Sequence, residues 1–216
     1  MSIRTAAFSA VVVLGLALAG CGGSSHKTST SPSGGCAQVS QPKSRSESRK
    51  PPTGGLDPSK TWTASVDTSC GSFTIRLDVK DSPHTTASFA SLARSGFYDD
   101  TTFHRIVPGF VIQGGDPTAT GSGGPGYSVV DLPPRTAKYT LGTVAMAKTR
   151  TEPPGAAGSQ FFVVTGADAG LPPDYALLGK VTKGMAVVDA IGQLGDPNTE
   201  QPTQVVVVRR ITVSGS

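Results

Sequence analysis

The sequence predicts a mainly β protein, a closed β-barrel capped by two α-helices. Strand-length segments with alternating apolar and polar residues recur from residue 61 to the end, and only two segments have helical spacing. The strands follow one another through turns, without the strand–helix–strand rhythm of a parallel sheet. Gly 27 and Pro 17 in 216 residues fit a chain of many turns and short strands.

The elements follow in order. Residues 61–69 and 71–80 alternate with period two, and Phe73, Ile75, Leu77 and Val79 share one face. Cys70-Gly71 suits the hairpin turn between them. Residues 82–97 read as a helix, with Ser82 as N-cap, Pro83 at N1 and Gly96 at C′. Short strands at 102–107 and 110–114 flank Pro108-Gly109, and a Gly-rich loop spans 114–126. Strands are expected at 143–147, 161–165 and 176–182. A second helix fits residues 184–194, with Met185, Val188 and Ile191 at helical spacing, and a strand over 204–213 closes the chain.

Residues 1–20 read as a processing signal rather than as fold. Arg4 precedes an apolar run from Ala10 to Ala19. The run is short for a membrane span, which needs about 20 residues. Its ending, Leu18-Ala19-Gly20-Cys21, resembles a bacterial lipobox. That resemblance implies a diacylglycerol on the Cys21 sulfur and an anchor on the extracytoplasmic side of the cell membrane. Residues 21–60 are rich in Ser, Gly, Pro and Lys and bury too little apolar surface to offset their ordering entropy. They are expected to be a disordered tether with a reach of roughly 30–35 Å. Residues 61–216 form the folded domain.

Composition narrows the function classes. A net charge of +4 is mildly basic, but the densest cluster, residues 43–50, lies in the tether rather than on a folded face. It reads as a flexible basic linker, with attraction to anionic lipid or cell-wall polymer as the sharper alternative, and not as a nucleic-acid site. Cys36 and Cys70 are either a disulfide, in an oxidising compartment, or two free thiols. The three Cys and three His show no metal-ligand spacing. "GSGGPG" at 121–126 formally satisfies a dinucleotide fingerprint, but no helix follows it. No GxSxG elbow is present. No cofactor is expected.

The segment "FHRIVPGFVIQGGDP", residues 103–117, poses the chemical question, because Arg105 sits in an apolar stretch where an unpaired buried guanidinium is costly. The stretch resembles the signature of the cyclophilins, peptidyl-prolyl cis/trans isomerases. "GTVAMAKT" at 142–149, "GSQFFVV" at 158–164 and the 179–191 segment resemble that family's later landmarks, in order. The resemblance covers roughly residues 62–215. It implies an eight-stranded antiparallel barrel closed by two helices, isomerase activity, and proline-containing polypeptides as partners of a monomeric protein.

The resemblance also implies roles. Arg105 is the catalytic residue. Phe110, Val111, Phe162 and Leu171 line the proline pocket, and Gln113 and Gln160 hold Arg105 or the substrate backbone. Ala147 and Lys148 flank the residue before proline, Tyr175 stands where the family's pocket His does, and His104 is a structural hydrogen-bonding residue. Val111 replaces a usual Met, Lys148 a frequent Asn, and the Trp of many members aligns near Gly170. These departures imply weak cyclosporin binding and an altered preference for the residue before proline. A peptide-binding chaperone with little catalytic role is the alternative function on the same barrel.

Overall fold

β1 (Trp62–Thr68) and β2 (Gly71–Leu77) form the first hairpin, and α1 (Pro83–Arg94) follows. β3 (Thr101–Val107) and β4 (Val111–Asp116) form the second. Then come β5 (Val129–Val130), β6 (Thr143–Met146), β7 (Ala156–Ala157), β8 (Phe161–Val164), β9 (Leu177–Lys183), α2 (Met185–Gly192) and β10 (Val207–Gly215). The structure is a computed structural model that describes residues 35–216. The expected signal segment and Cys21 lie outside the described residues.

Eight strands close into an antiparallel barrel in the order β1-β10-β3-β4-β8-β6-β9-β2, and β5 pairs with β7 beside it. The predicted fold class holds. β5 and β7 carry only two residues each, too short for a periodicity signal. The first hairpin turn falls on Ser69-Cys70, one residue earlier than expected, because Thr68 pairs directly with Gly71.

The barrel interior is one apolar cluster. Phe73, Ile75 and Leu77 fill it from β2, as their alternation requires. Phe103, Ile106, Ile112, Phe161 and Val163 fill it from β3, β4 and β8, while Phe89 and Leu92 of α1 and Val188 and Ile191 of α2 join the same cluster. Full burial of such a side chain contributes about 1.5–3 kcal/mol.

Helix α1 ends as expected and begins differently. Gly96 N–H donates to Ala93 O (3.1 Å) and Phe97 N–H to Leu92 O (3.0 Å), the reciprocal pair of a Schellman cap. Ser82 stands at the N-cap but makes no side-chain cap bond. Asp131, far along the chain, accepts from Thr85 N–H at 2.6 Å instead, and its other oxygen pairs with His84 Nδ1 at 2.8 Å.

Residues 35–60 correct the expectation of a free tether. They form no helix or strand, yet they lie against the domain. Cys36 is disulfide-bonded to Cys70 in the first turn, which decides between the two readings of these thiols. Ala37 N–H donates to Ser69 O at 2.8 Å, Arg45 N–H to Pro117 O at 3.0 Å, and Arg49 N–H to Pro125 O at 2.8 Å. Arg45 Nη2 donates to Phe97 O at 2.7 Å, and Arg49 stacks over the Phe97 ring at 5.8 Å. Trp62 Nε1 donates to Asp57 O at 2.9 Å. Backbone hydrogen bonds, arginines and one covalent bond thus replace the apolar side chains this strap lacks. Two arginines of the expected basic linker are spent on these contacts.

Because the disulfide ties the strap at Cys36 to the first hairpin turn, its reduction is expected to release the strap locally and leave the barrel intact. Hydrogen exchange after reduction should show Ala37 losing protection while Ile75 and Val163 keep theirs. Equal loss throughout would contradict this.

Candidate active site

The register of β3 against β4 explains Arg105. Thr102 pairs with Asp116, Phe103 with Gly114, and Arg105 with Gln113. Gly115 is therefore an extra residue on β4, and His104 an extra residue on β3. Phe103 and Ile106 both fill the barrel interior. Two residues separate them instead of one, so Arg105 turns to the outer face, where its side chain is 35% exposed. The guanidinium is not buried in the apolar segment after all. Gly115 takes φ +86°, and a Cβ there would stand 2.5 Å from Ser159 O, so the bulge demands glycine.

The same face collects the other expected residues. Arg105 pairs with Gln113, Gln113 with Phe162, and Phe162 with Ala145, one row across four neighbouring strands. Strands lie about 4.8 Å apart, so the Arg105 and Phe162 backbones stand roughly 10 Å from each other. Phe162 belongs to a second apolar cluster outside the barrel, with Val111, Tyr139, Ala145 and Val164, against which Phe110, Leu171 and Tyr175 pack. Phe162 is only 4% exposed and Val111 only 2%. Phe110, Leu171 and Tyr175 are half-buried. The rings of Phe162 and Tyr175 meet edge-on at 5.6 Å. This is an apolar cup on a polar row.

Tyr139 was not anticipated. It is fully buried, donates its hydroxyl to Tyr175 O at 2.6 Å and accepts from Tyr175 N–H at 3.0 Å. It thereby pins the segment that carries Tyr175. Burial pushes its phenol up to about 12, against the lowering effect of the bond to the Tyr175 backbone.

Arg105 is held from both sides. Its Nε donates to Glu200 Oε2 at 2.7 Å, and Nη1 reaches Gln113 Oε1 at 3.4 Å. Gln113 Nε2 donates to Gln160 Oε1 at 3.0 Å, and Gln160 Nε2 donates to the carbonyls of Gly121 and Gly123, each at 2.9 Å. Both glutamines therefore serve Arg105 and the Gly-rich loop. Glu200 is the second unanticipated residue. Its backbone is left-handed at φ +60°, and its carbonyl accepts from Ile106 N–H at 2.8 Å. It is thus fixed to β3 beside the residue it holds, a conformation of the kind that gathers at functional sites. The Arg105–Glu200 contact spans 95 residues, and its turn-rich neighbourhood carries no local signal.

The Gly-rich loop wraps a buried carboxylate. Asp116 accepts from Thr118 N–H (2.7 Å), the Thr118 hydroxyl (2.8 Å), and the N–H groups of Thr120 (3.1 Å), Gly121 (2.7 Å) and Gly123 (3.1 Å). A Cβ on Gly123 would lie 2.0 Å from Asp116 Oδ1, so the glycine answers to close approach and not to a dinucleotide. His104 lies on the bulge near this loop. Among the described residues neither ring nitrogen meets a partner at full hydrogen-bond geometry, although the Thr102 backbone and the Gln160 side chain lie close enough to act on the ring. Burial holds its imidazole below the usual range, against the pull of Asp116.

Ala147 N–H donates to Gln160 O at 2.9 Å, so Ala147 and Lys148 run beside the row. Lys148 Nζ donates to the carbonyls of Thr149 and Glu152, each at 3.3 Å, and lies 5.6 Å from the Tyr175 ring centroid.

Residues 63–213 match the model of the cyclophilin type peptidyl-prolyl cis-trans isomerases. The chain belongs to this family. It is 38% identical over 152 residues to an Arabidopsis thaliana peptidyl-prolyl cis-trans isomerase, covering 68% of this chain and 91% of that protein. It is 37% identical over 175 residues to peptidyl-prolyl cis-trans isomerase A of Mycobacterium tuberculosis, covering 73% and 94%. A crystal structure of a Cryptosporidium parvum cyclophilin type isomerase superposes with a TM-score of 0.66 at 28% identity, covering 73% of this chain and 99% of that one. The same parasite enzyme has been solved in the presence of the dipeptide Ala-Pro. This cyclophilin is accordingly a peptidyl-prolyl cis-trans isomerase, and the row on its outer face is the candidate active site.

Asp116 links that site to pH. Burial raises its pKa, but the hydrogen bonds from Thr118, Gly123 and Gly121 outweigh burial and hold the carboxyl below its ordinary 3.8. A depressed carboxyl contributes stability that is present above pH 3.8 and lost as pH falls through the folded value. Asp116→Asn should therefore flatten the stability loss on acidification below that range. At neutral pH it should cost ~1–3 kcal/mol, because an amide group would face backbone donors. Chemical denaturation at both pH values checks this; a variant that keeps the wild-type acid slope would contradict it.

Proposed function

We propose that this cyclophilin accelerates rotation about X–Pro bonds of exported polypeptides. It works as a monomer on the extracytoplasmic side of the cell membrane, anchored by lipid on Cys21. The observation that carries the mechanism is Arg105, turned outward beside the apolar cup and held by Glu200 and Gln113.

The barrier to rotation is ~18–20 kcal/mol and arises from amide resonance. A twisted amide loses that resonance, and a lone pair appears on the proline nitrogen. The Phe162–Val111 cup receives the proline ring, with Phe110, Leu171 and Tyr175 at its rim. Arg105 donates to the emerging lone pair and so binds the twisted state better than either planar state. Its guanidinium is always charged and planar, so no proton need move. The Glu200 ion pair is solvent-exposed and contributes at most ~1 kcal/mol to stability. Its value here is orientation. The Ala-Pro dipeptide named with the parasite relative supports proline-containing chains as substrates.

The anchor reading rests on the lipobox-like ending at Cys21. The Cys36–Cys70 disulfide supports an oxidising compartment.

Arg105→Ala should slow cis-to-trans conversion of an X–Pro test peptide by ~10²-fold, about 2.7 kcal/mol of transition-state stabilisation, with the fold intact by circular dichroism. A folded wild type without activity would sink the catalytic reading. For the anchor, Cys21→Ala should move the protein from the membrane to the soluble fraction on cell fractionation. A variant that stays with the membrane would contradict lipidation.

A further inference from the structure

Beside the candidate site lies a cavity of about 960 Å³, at the upper end of the ~300–1,000 Å³ typical of ligand clefts. It shares Gln113, Ala147 and Gln160 with the site, so it continues the same depression. It runs toward Lys148, Thr149 and Glu152. That is the side which the active-site reading gives to the residue before proline. A polypeptide whose proline occupies the cup has its upstream residues directed here.

Part of the cavity's lining is not made by the family domain. Ser46, Glu47 and Ser48 form that part, whereas the family match begins at residue 63. These three residues are not casual neighbours. Arg45 and Arg49 bracket them, and each is bonded through its backbone to one end of the Gly-rich loop, at Pro117 O and Pro125 O. Arg45, Glu47 and Arg49 are half-buried, while Ser46 and Ser48 between them are exposed, as the period of an extended chain dictates. Glu47 is ion-paired to both arginines, which fixes the stretch internally.

We propose that residues 46–48 complete a subsite for the polypeptide upstream of the X–Pro bond, so that the disulfide-held strap is a specificity element added to the cyclophilin domain. The assignment of the upstream side rests on the isomerase reading of the cup. The lining is about half apolar, and its polar part carries the hydroxyls of Ser46, Ser48, Thr118 and Thr149, the Gln160 amide and charges of both signs at Glu47, Lys148 and Glu152. Those polar groups suit upstream segments rich in hydrogen-bonding side chains. The strap also abuts the loop whose Gly121 and Gly123 carbonyls hold Gln160, so an upstream segment is felt at the glutamine that supports Gln113 and Arg105.

The test measures binding of blocked Ala-Pro peptides to the full-length protein by NMR titration, with a Thr-Ser-Gln extension upstream or downstream of the proline unit. In the wild type the upstream extension should tighten Kd by ~3–10-fold, the worth of one or two net hydrogen bonds. Ser46→Trp, which fills the cavity from the strap, should abolish that gain and leave the effect of the downstream extension as it is in the wild type. Ser48→Trp, at the next exposed strap position lining the cavity, is the second variant and should abolish the gain as well. No upstream gain in the wild type, or a gain that survives both variants, would overturn the proposal. Exchange between cis and trans peptide is read in the same samples. Loss of exchange with the upstream gain intact would overturn the isomerase reading and leave the subsite standing.

Discussion

The paired bulge between β3 and β4 is the constraint on which the rest depends. A regular hairpin would place Arg105 and Phe103 on the same face, since side chains two residues apart share a side. The guanidinium would then share the interior with Phe161 and Ile112, at a cost no exposed partner could offset. The extra residue at His104 separates them, and the compensating extra residue at Gly115 restores the register beyond. One local irregularity therefore keeps the core apolar and delivers a cation to the outer face, level with Gln113 and Phe162.

What surrounds the bulge reads as support for that cation. Glu200 fixes Nε, and the two glutamines pass the hold from Arg105 to the Gly-rich loop. Asp116 organises the loop from within, and the strap borders it from outside at Pro117 and Pro125. Each contact alone is a modest hydrogen bond or an exposed ion pair. Their joint effect is preorganisation, in which the dipoles are set before the amide twists.

Much of this was legible in the sequence, and the exceptions have physical causes. The period-two pattern of Phe73, Ile75 and Leu77 gave the barrel interior, and the helical spacing of Val188 and Ile191 gave the second cap. The family-like segments at 103–117 and 158–164 named Phe110, Val111, Gln113, Gln160 and Phe162, and the strand pairing sets Gln113 and Phe162 in one row with Arg105. The rest depends on contacts that local pattern does not encode. Asp131 caps α1 from 46 residues away, and Glu200 meets Arg105 from 95. Tyr139 bonds to Tyr175 across 36. The strap was misjudged for a related reason. Composition correctly denied it a core of its own, but it orders by borrowing carbonyls and a cysteine from the barrel.

The central claim is that a guanidinium of fixed orientation, rather than positive charge alone, lowers the barrier. Arg105→Lys tests it most directly, since lysine keeps the charge and loses the planar fork held by Glu200 and Gln113. The account predicts that kcat/KM for an X–Pro peptide falls by ~10-fold or more, with peptide affinity little changed. A lysine variant that isomerises at the wild-type rate would contradict it.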